Sequence, residues 1–215
     1  MVAADPRAAF DAAFSRLPLV AILRGITPAE APEILHVLVD AGFTLIEVPL
    51  NSPEPFESIE AMANIAPEGV RIGAGTVLDP GDVSRLVSAG GSYIVTPNTD
   101  LEVIAASVDA GLPALIGCFT PSECFAAAKA GAAALKIFPA SRLGSGYIKD
   151  LKAVLPSGLP VLAVGGVGAV NFADFVAAGC SGFGIGSELW KPGRSAEDVH
   201  TAAETLVAAW RAIAP

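Results

Sequence analysis

Eight times along this chain, a short string rich in β-branched and other apolar residues is followed by a helical pattern. That alternation constrains the fold more than any other feature. The strand candidates are LVAIL (19–23), LIEVP (45–49), RIGAG (71–75), YIVT (93–96), ALIG (114–117), ALKIF (134–138), VLAVG (161–165) and GFGIG (182–186). Their starts lie about 20 to 27 residues apart, room for one strand and its covering helix. Helix-start signals stand between them: TPAEA (27–31), SPEPFE (52–57), DPGD (79–82) and TPSE (120–123), each with proline near the first turn and acids close behind. Gly42, Gly111, Gly131 and Gly179 sit where a helix must close before the next strand. Strand and helix alternating in this way predict a parallel sheet covered by helices, and eight repeats predict a closed (β/α)8, or TIM, barrel.

The segment PRAAFDAAFSR precedes the first strand and places Phe10 and Phe14 on one helical face. It predicts an extra N-terminal helix, within residues 1–17, closing the N-terminal mouth of a barrel spanning 18–215. No linker, low-complexity tract or charge block divides the 215 residues, which predicts a single domain over 1–215.

Hydrophobic residues make up 53% of the chain and charged ones 16%, so much of it must be interior. No apolar run approaches the roughly 20 residues needed to cross a bilayer. The N-terminus MVAADPRAAF lacks the basic start and long apolar segment of a signal peptide. The expectation is a cytoplasmic protein that does not engage membranes. A net charge of −9 argues against general affinity for nucleic acid, though not against a local anion pocket. Cys118, Cys124 and Cys180 are odd in number and form no CxxC pair, as expected of buried thiols in a reducing compartment. His36 and His200 fall in helical patterns, so no histidine-ligated metal and no cofactor are expected.

In such a barrel the chemistry lies at the C-terminal ends of the strands. Side chains alternate along a strand, and one parity carries polar residues toward that end. The sets are Val20, Ile22 and Arg24; Leu45, Glu47 and Pro49; Ile72, Ala74 and Thr76; and Ala134, Lys136 and Phe138. Lys136 stands alone in an apolar strand, and lysine is among the least expected of buried residues. Desolvation lowers the pKa of such an amine. The neutral form can attack a ketone and give a Schiff base, an electron sink beside which a carbon–carbon bond can break. The other lysines, at 129, 149, 152 and 191, lie outside the strands. Glu47 is the lone carboxylate in the strand pattern and the candidate proton shuttle. A structural pairing of Lys136 with Glu47 as a buried salt bridge would explain the same residues.

Two glycine-rich turns, VGGVG (164–168) and GIGSEL (184–189), follow strands seven and eight, the usual phosphate seat of this barrel. Their backbone N–H groups, a helix start beyond each, and the Ser187 hydroxyl would favour an anion.

The motifs AILRGI (21–26), IEVPLNSP (46–53), GAGTVL (73–78), IVTPN (94–98), ALKIFPA (134–140) and AVGGV (163–167) together resemble the 2-keto-3-deoxy-6-phosphogluconate/galactonate aldolases. The resemblance spans roughly residues 17 to 211. It implies a class I, pyruvate-releasing barrel enzyme that is a homotrimer, with Lys136 as the Schiff-base lysine and Glu47 as the general acid/base. Arg24 and Thr76 would hold the carboxylate end, and Gly165, Gly166, Gly186 and Ser187 the phosphate. Gluconate-type members usually carry arginine at the place of Asn51, and EVPLNS is similar to the galactonate branch. The gluconate type also commonly has threonine where Val164 stands, beside Lys136 by strand parity. The resemblance therefore implies a phosphorylated 2-keto-3-deoxy galactonate as preferred substrate, with weaker action on the gluconate epimer. Two other readings remain open. One is another phosphate-binding barrel enzyme, such as a sugar-phosphate epimerase or a metal-assisted decarboxylase or synthase. The other is a non-catalytic phosphosugar-binding barrel.

Overall fold

The computed structural model describes residues 5–214; Met1 to Ala4 and Pro215 of the expected domain lie outside the described residues. Among the described residues α1 (Pro6–Arg16) comes first, and a strand and a helix then alternate. These are β1 (Leu19–Ile22), α2 (Ala31–Asp40), β2 (Leu45–Pro49), α3 (Pro55–Ile65), β3 (Arg71–Gly75), α4 (Pro80–Ser88), β4 (Ile94–Val95) and α5 (Leu101–Asp109). They continue with β5 (Ala114–Cys118), α6 (Pro121–Ala130), β6 (Ala134–Ile137), α7 (Ala140–Lys152), β7 (Val161–Val164), α8 (Phe172–Ala177), β8 (Gly182–Ile185) and α9 (Ala196–Arg211). Each strand pairs in parallel with the next, and β8 returns to β1 to close the barrel. The chain is thus a (β/α)8 barrel with one additional N-terminal helix.

Local chemistry accounts for the helix starts. Asp5, Asp79, Asp100 and Ser195 each accept a backbone N–H at the head of their helices. Thr120 and Glu123 form a reciprocal capping box at α6. The TPAEA signal is displaced: Thr27 bonds Glu30 through both its N–H and its hydroxyl, and the helix begins only at Ala31.

Two apolar layers result. Outward residues of the strands, such as Ile46, Val48, Ile116, Leu135 and Phe183, pack against the helices. Inward residues Val20, Ile22, Leu45, Val95, Leu115, Ala134, Leu162 and Val164 fill the barrel. Phe10 and Ala13 of α1 join this inner layer. The Phe10 ring stacks on Phe14 at 5.9 Å and lies 5.4 Å from Tyr93. The Thr44 hydroxyl donates to the Ala13 carbonyl at 2.8 Å, tying the plug to the barrel floor.

The parity expected for the third strand is corrected. Ile72 and Ala74 face the helices, not the barrel interior. Gly73 and Gly75 point inward instead, because the space at those positions is already taken. A Cβ on Gly73 would stand 2.6 Å from the Tyr93 ring, and one on Gly75 would stand 1.7 Å from Glu47 Oε1. The absence of side chains at Gly73 and Gly75 on the inner face of β3 is what admits Glu47 to the barrel.

Candidate active site

β6 carries Lys136 inward near the C-terminal mouth, and β2 does the same for Glu47. Both are buried, at 5% and 1% exposure. They share a cavity of about 510 Å³ with Arg24, Val164, Gly165, Gly166, Gly186 and Ser187, so eight of the nine site residues expected from sequence converge. Thr76, the ninth, is absent from the cavity lining. It follows the end of β3 with φ of 55°, and its hydroxyl lies 3.4 Å from Arg24 Nη2, so it meets the site through Arg24. The Arg24 guanidinium also donates to Asn51 Oδ1.

No direct ion pair joins Lys136 to Glu47. Among the described residues the basic–acidic side-chain pairs in contact are Arg7–Asp11, Arg85–Asp82 and His200–Glu204. Glu47 Oε2 is buried with no hydrogen-bond partner among the described residues. These observations argue against a closed structural salt bridge. Lys136 Nζ lies instead 5.0 Å from the centre of the Phe138 ring, in cation–π range.

Burial pushes the Lys136 amine down from its ordinary 10.5; the Glu47 charge opposes this and Arg24 reinforces it. Burial pushes the Glu47 carboxyl up from 4.5, against the pull of Lys136 and Arg24. The two groups therefore move toward each other on the pH scale. An amine with an accessible neutral form faces a carboxyl that can both hold and release a proton, the requirement for nucleophilic attack with proton transfer.

The anion end differs from expectation in one respect. Neither glycine pair opens directly into a helix. After β7, Gly165 and Gly166 have φ of 90° and 71°, and α8 starts only at Phe172. After β8, the N–H groups of Leu189 and Trp190 close one turn onto the Gly186 carbonyl, and α9 waits until Ala196. The available donors are thus loop N–H groups and the exposed Ser187 hydroxyl, without a helix dipole behind them. The loop also brings Trp190, Lys191 and Pro192 to the cavity wall. Sequence reasoning passed over these three. The one available signal was the aromatic–cation–proline run WKP (190–192) that follows GIGSEL.

The family model described as KDPG and KHG aldolase matches residues 10–204. The chain belongs to this family. Within it, the chain is 51% identical over 196 residues to the probable 2-dehydro-3-deoxy-6-phosphogalactonate aldolase of Rhizobium meliloti (strain 1021), covering 91% of this chain and 92% of that one. It is 49% identical over 197 residues to the 2-dehydro-3-deoxy-6-phosphogalactonate aldolase of Escherichia coli (strain K12), covering 92% and 96%. A solved structure described as native KDPGal superimposes with a TM-score of 0.90 at 49% identity, covering 92% of this chain and 96% of that one. As a member of an aldolase family, the chain is a carbon–carbon lyase, and the barrel that carries its site is the one these relatives share.

Proposed function

We propose that this aldolase cleaves 2-dehydro-3-deoxy-6-phosphogalactonate to pyruvate and D-glyceraldehyde 3-phosphate through a Schiff base on Lys136. The observation that carries the reading is the burial of Lys136 and Glu47 in one cavity with no ion pair between them and Glu47 Oε2 unpartnered. The neutral Nζ attacks the C2 ketone, giving a carbinolamine. Glu47 delivers the proton with which water leaves, and the iminium forms. Glu47, again as carboxylate, takes the proton from the C4 hydroxyl while the C3–C4 bond breaks. Its electron pair flows into the iminium as an enamine, and the aldehyde departs. Protonation at C3 and hydrolysis release pyruvate and free the amine.

Arg24, which bonds Asn51 and Thr76 and lines the same cavity, takes the substrate carboxylate in this reading. Gly165, Gly166, Gly186 and Ser187 supply donors for the phosphate across the same cavity. Val164 supports the galactonate preference, since its methyl groups offer no partner to a gluconate-configured C4 hydroxyl. Turnover of the gluconate epimer is expected to be weaker. A homotrimer follows from the family resemblance, and sedimentation would establish it. No described helix is long and apolar enough to cross a membrane. A cytoplasmic setting fits three cysteines that are free and buried.

The test is incubation with pyruvate and borohydride, followed by mass measurement and peptide mapping. The expected result is one irreversible pyruvate adduct on the peptide containing Lys136. No adduct, or one on another lysine, would reject the reading. Activity should also survive a chelator; loss on chelation with recovery on adding a divalent metal would favour a metal-assisted enzyme.

A further inference from the structure

We propose that Trp190 is the positioning residue for Arg24, and so sets the affinity of the carboxylate end of the site. The inference rests on Arg24 holding that carboxylate, as read above.

Arg24 sits on the loop after β1, and its side chain is exposed. A long cation in that setting would ordinarily sample many rotamers, and ordering it costs free energy. Here its backbone is held on both sides. The buried indole of Trp190, 3% exposed, donates its Nε1–H to the Arg24 carbonyl at 3.1 Å. The next residue, Gly25, donates its N–H to the Ser52 hydroxyl at 2.9 Å. Gly25 has φ of 83°, and a Cβ there would stand 2.8 Å from Pro192 Cγ. The turn after β8 therefore seats directly on the turn after β1, through Trp190 and Pro192. With its backbone fixed, the guanidinium is steadied by Asn51 and Thr76. An indole in this position could simply be filling the barrel rim. Its lone polar atom is instead spent on the one carbonyl that belongs to the candidate carboxylate ligand.

A role through Arg24 and a role in shaping the β8 turn predict different losses. Trp190→Phe keeps an aromatic ring and removes the N–H. If Trp190 acts on Arg24, the pyruvate concentration that half-saturates borohydride trapping rises about three- to tenfold, the size of one lost hydrogen bond. Inhibition by inorganic phosphate, which probes the turn at Gly186 and Ser187, keeps its wild-type concentration dependence. The same trapping is measured in Arg24→Met and in the double variant, and the effect of Trp190→Phe should vanish when Arg24 is absent. Gly25→Ala approaches the same contact from the other side by pressing on Pro192. It should raise the half-saturating pyruvate in the same direction, even if Trp190→Phe does not fold. An unchanged pyruvate dependence in the variants overturns the proposal. So does an equal weakening toward phosphate, or an effect of Trp190→Phe that persists undiminished without Arg24. If Arg24→Met alone leaves trapping unchanged, the failure lies with the carboxylate assignment beneath it.

Discussion

Lys136 and Glu47 each contradict the usual preference of charged residues for water, and the proposed mechanism makes use of that contradiction. Because burial lowers the lysine, the rate of pyruvate adduct formation should rise with pH as the amine loses its proton. It should level off below the ordinary 10.5. A plateau reached only at or above 10.5, measured by trapping across a pH series, would mean an amine that is solvated in solution. Glu47→Gln retains the shape and loses the exchangeable proton, so kcat should fall by about 10² to 10⁴. Since burial already disfavours the Glu47 charge, the melting temperature should not drop with it. Wild-type kcat in that variant would leave Glu47 a structural residue. Val164 is 6% exposed and lines the cavity with Lys136. Val164→Thr adds one hydroxyl there, and a single polar contact changes discrimination by roughly tenfold to a hundredfold. Measured as kcat/KM on both epimers, the ratio should move toward the gluconate substrate by up to that amount. An unchanged ratio would remove Val164 from the specificity.

At the scale of elements, the turns after β7 and β8 differ in what they tolerate. Gly166 has a positive φ, and a Cβ there would stand 2.6 Å from Ser141, so a bulky substitution would strain the backbone as well as crowd the cavity. Gly186 has neither constraint: nothing lies within 4 Å of its Cβ position. Gly186→Val should therefore intrude on the phosphate end without unfolding the loop. KM for the phosphorylated substrate should rise by at least about tenfold, on the scale of one lost charged hydrogen bond. Trapping with unphosphorylated pyruvate should proceed as in wild type. Joint loss of both would detach the phosphate from this turn. The elements were largely legible in the sequence. β2 and β3 run over the expected residues, and α1 does as well, because capping residues, prolines and apolar strings are local signals. The inward parity of β3 was not legible. It depends on Tyr93, just before β4, and Glu47 from β2 claiming the space over Gly73 and Gly75, which no local pattern announces.

For the molecule as a whole, closure of the barrel leaves an open floor, and α1 supplies the missing side chains. Phe10 is 3% exposed and sits in the inner layer with Tyr93 and Leu45. Phe10→Ala should lower the unfolding free energy by about 3 to 5 kcal/mol, as for other buried phenylalanines. The cavity with Lys136 lies at the opposite mouth, so kcat at a temperature well below unfolding should stay near wild type. A small stability loss in denaturant titration would show that α1 covers the floor only loosely.

The sequence by itself determined the eight-fold alternation, and with it the barrel, the mouth at which the candidate site lies, and Lys136 and Glu47 as the charges buried there. These follow from periodicity and from the cost of burying a charge, both of which can be read residue by residue. Tertiary structure alone decided that Thr76 reaches the site through Arg24, and that the glycine turns offer loop N–H groups in place of helix ends. It also decided that Trp190, 166 residues from Arg24 along the chain, holds its carbonyl. Each of those depends on the closure of β8 onto β1 or on the packing of neighbouring loops. Such contacts form only once the whole sheet has fixed the distances between residues far apart in the chain.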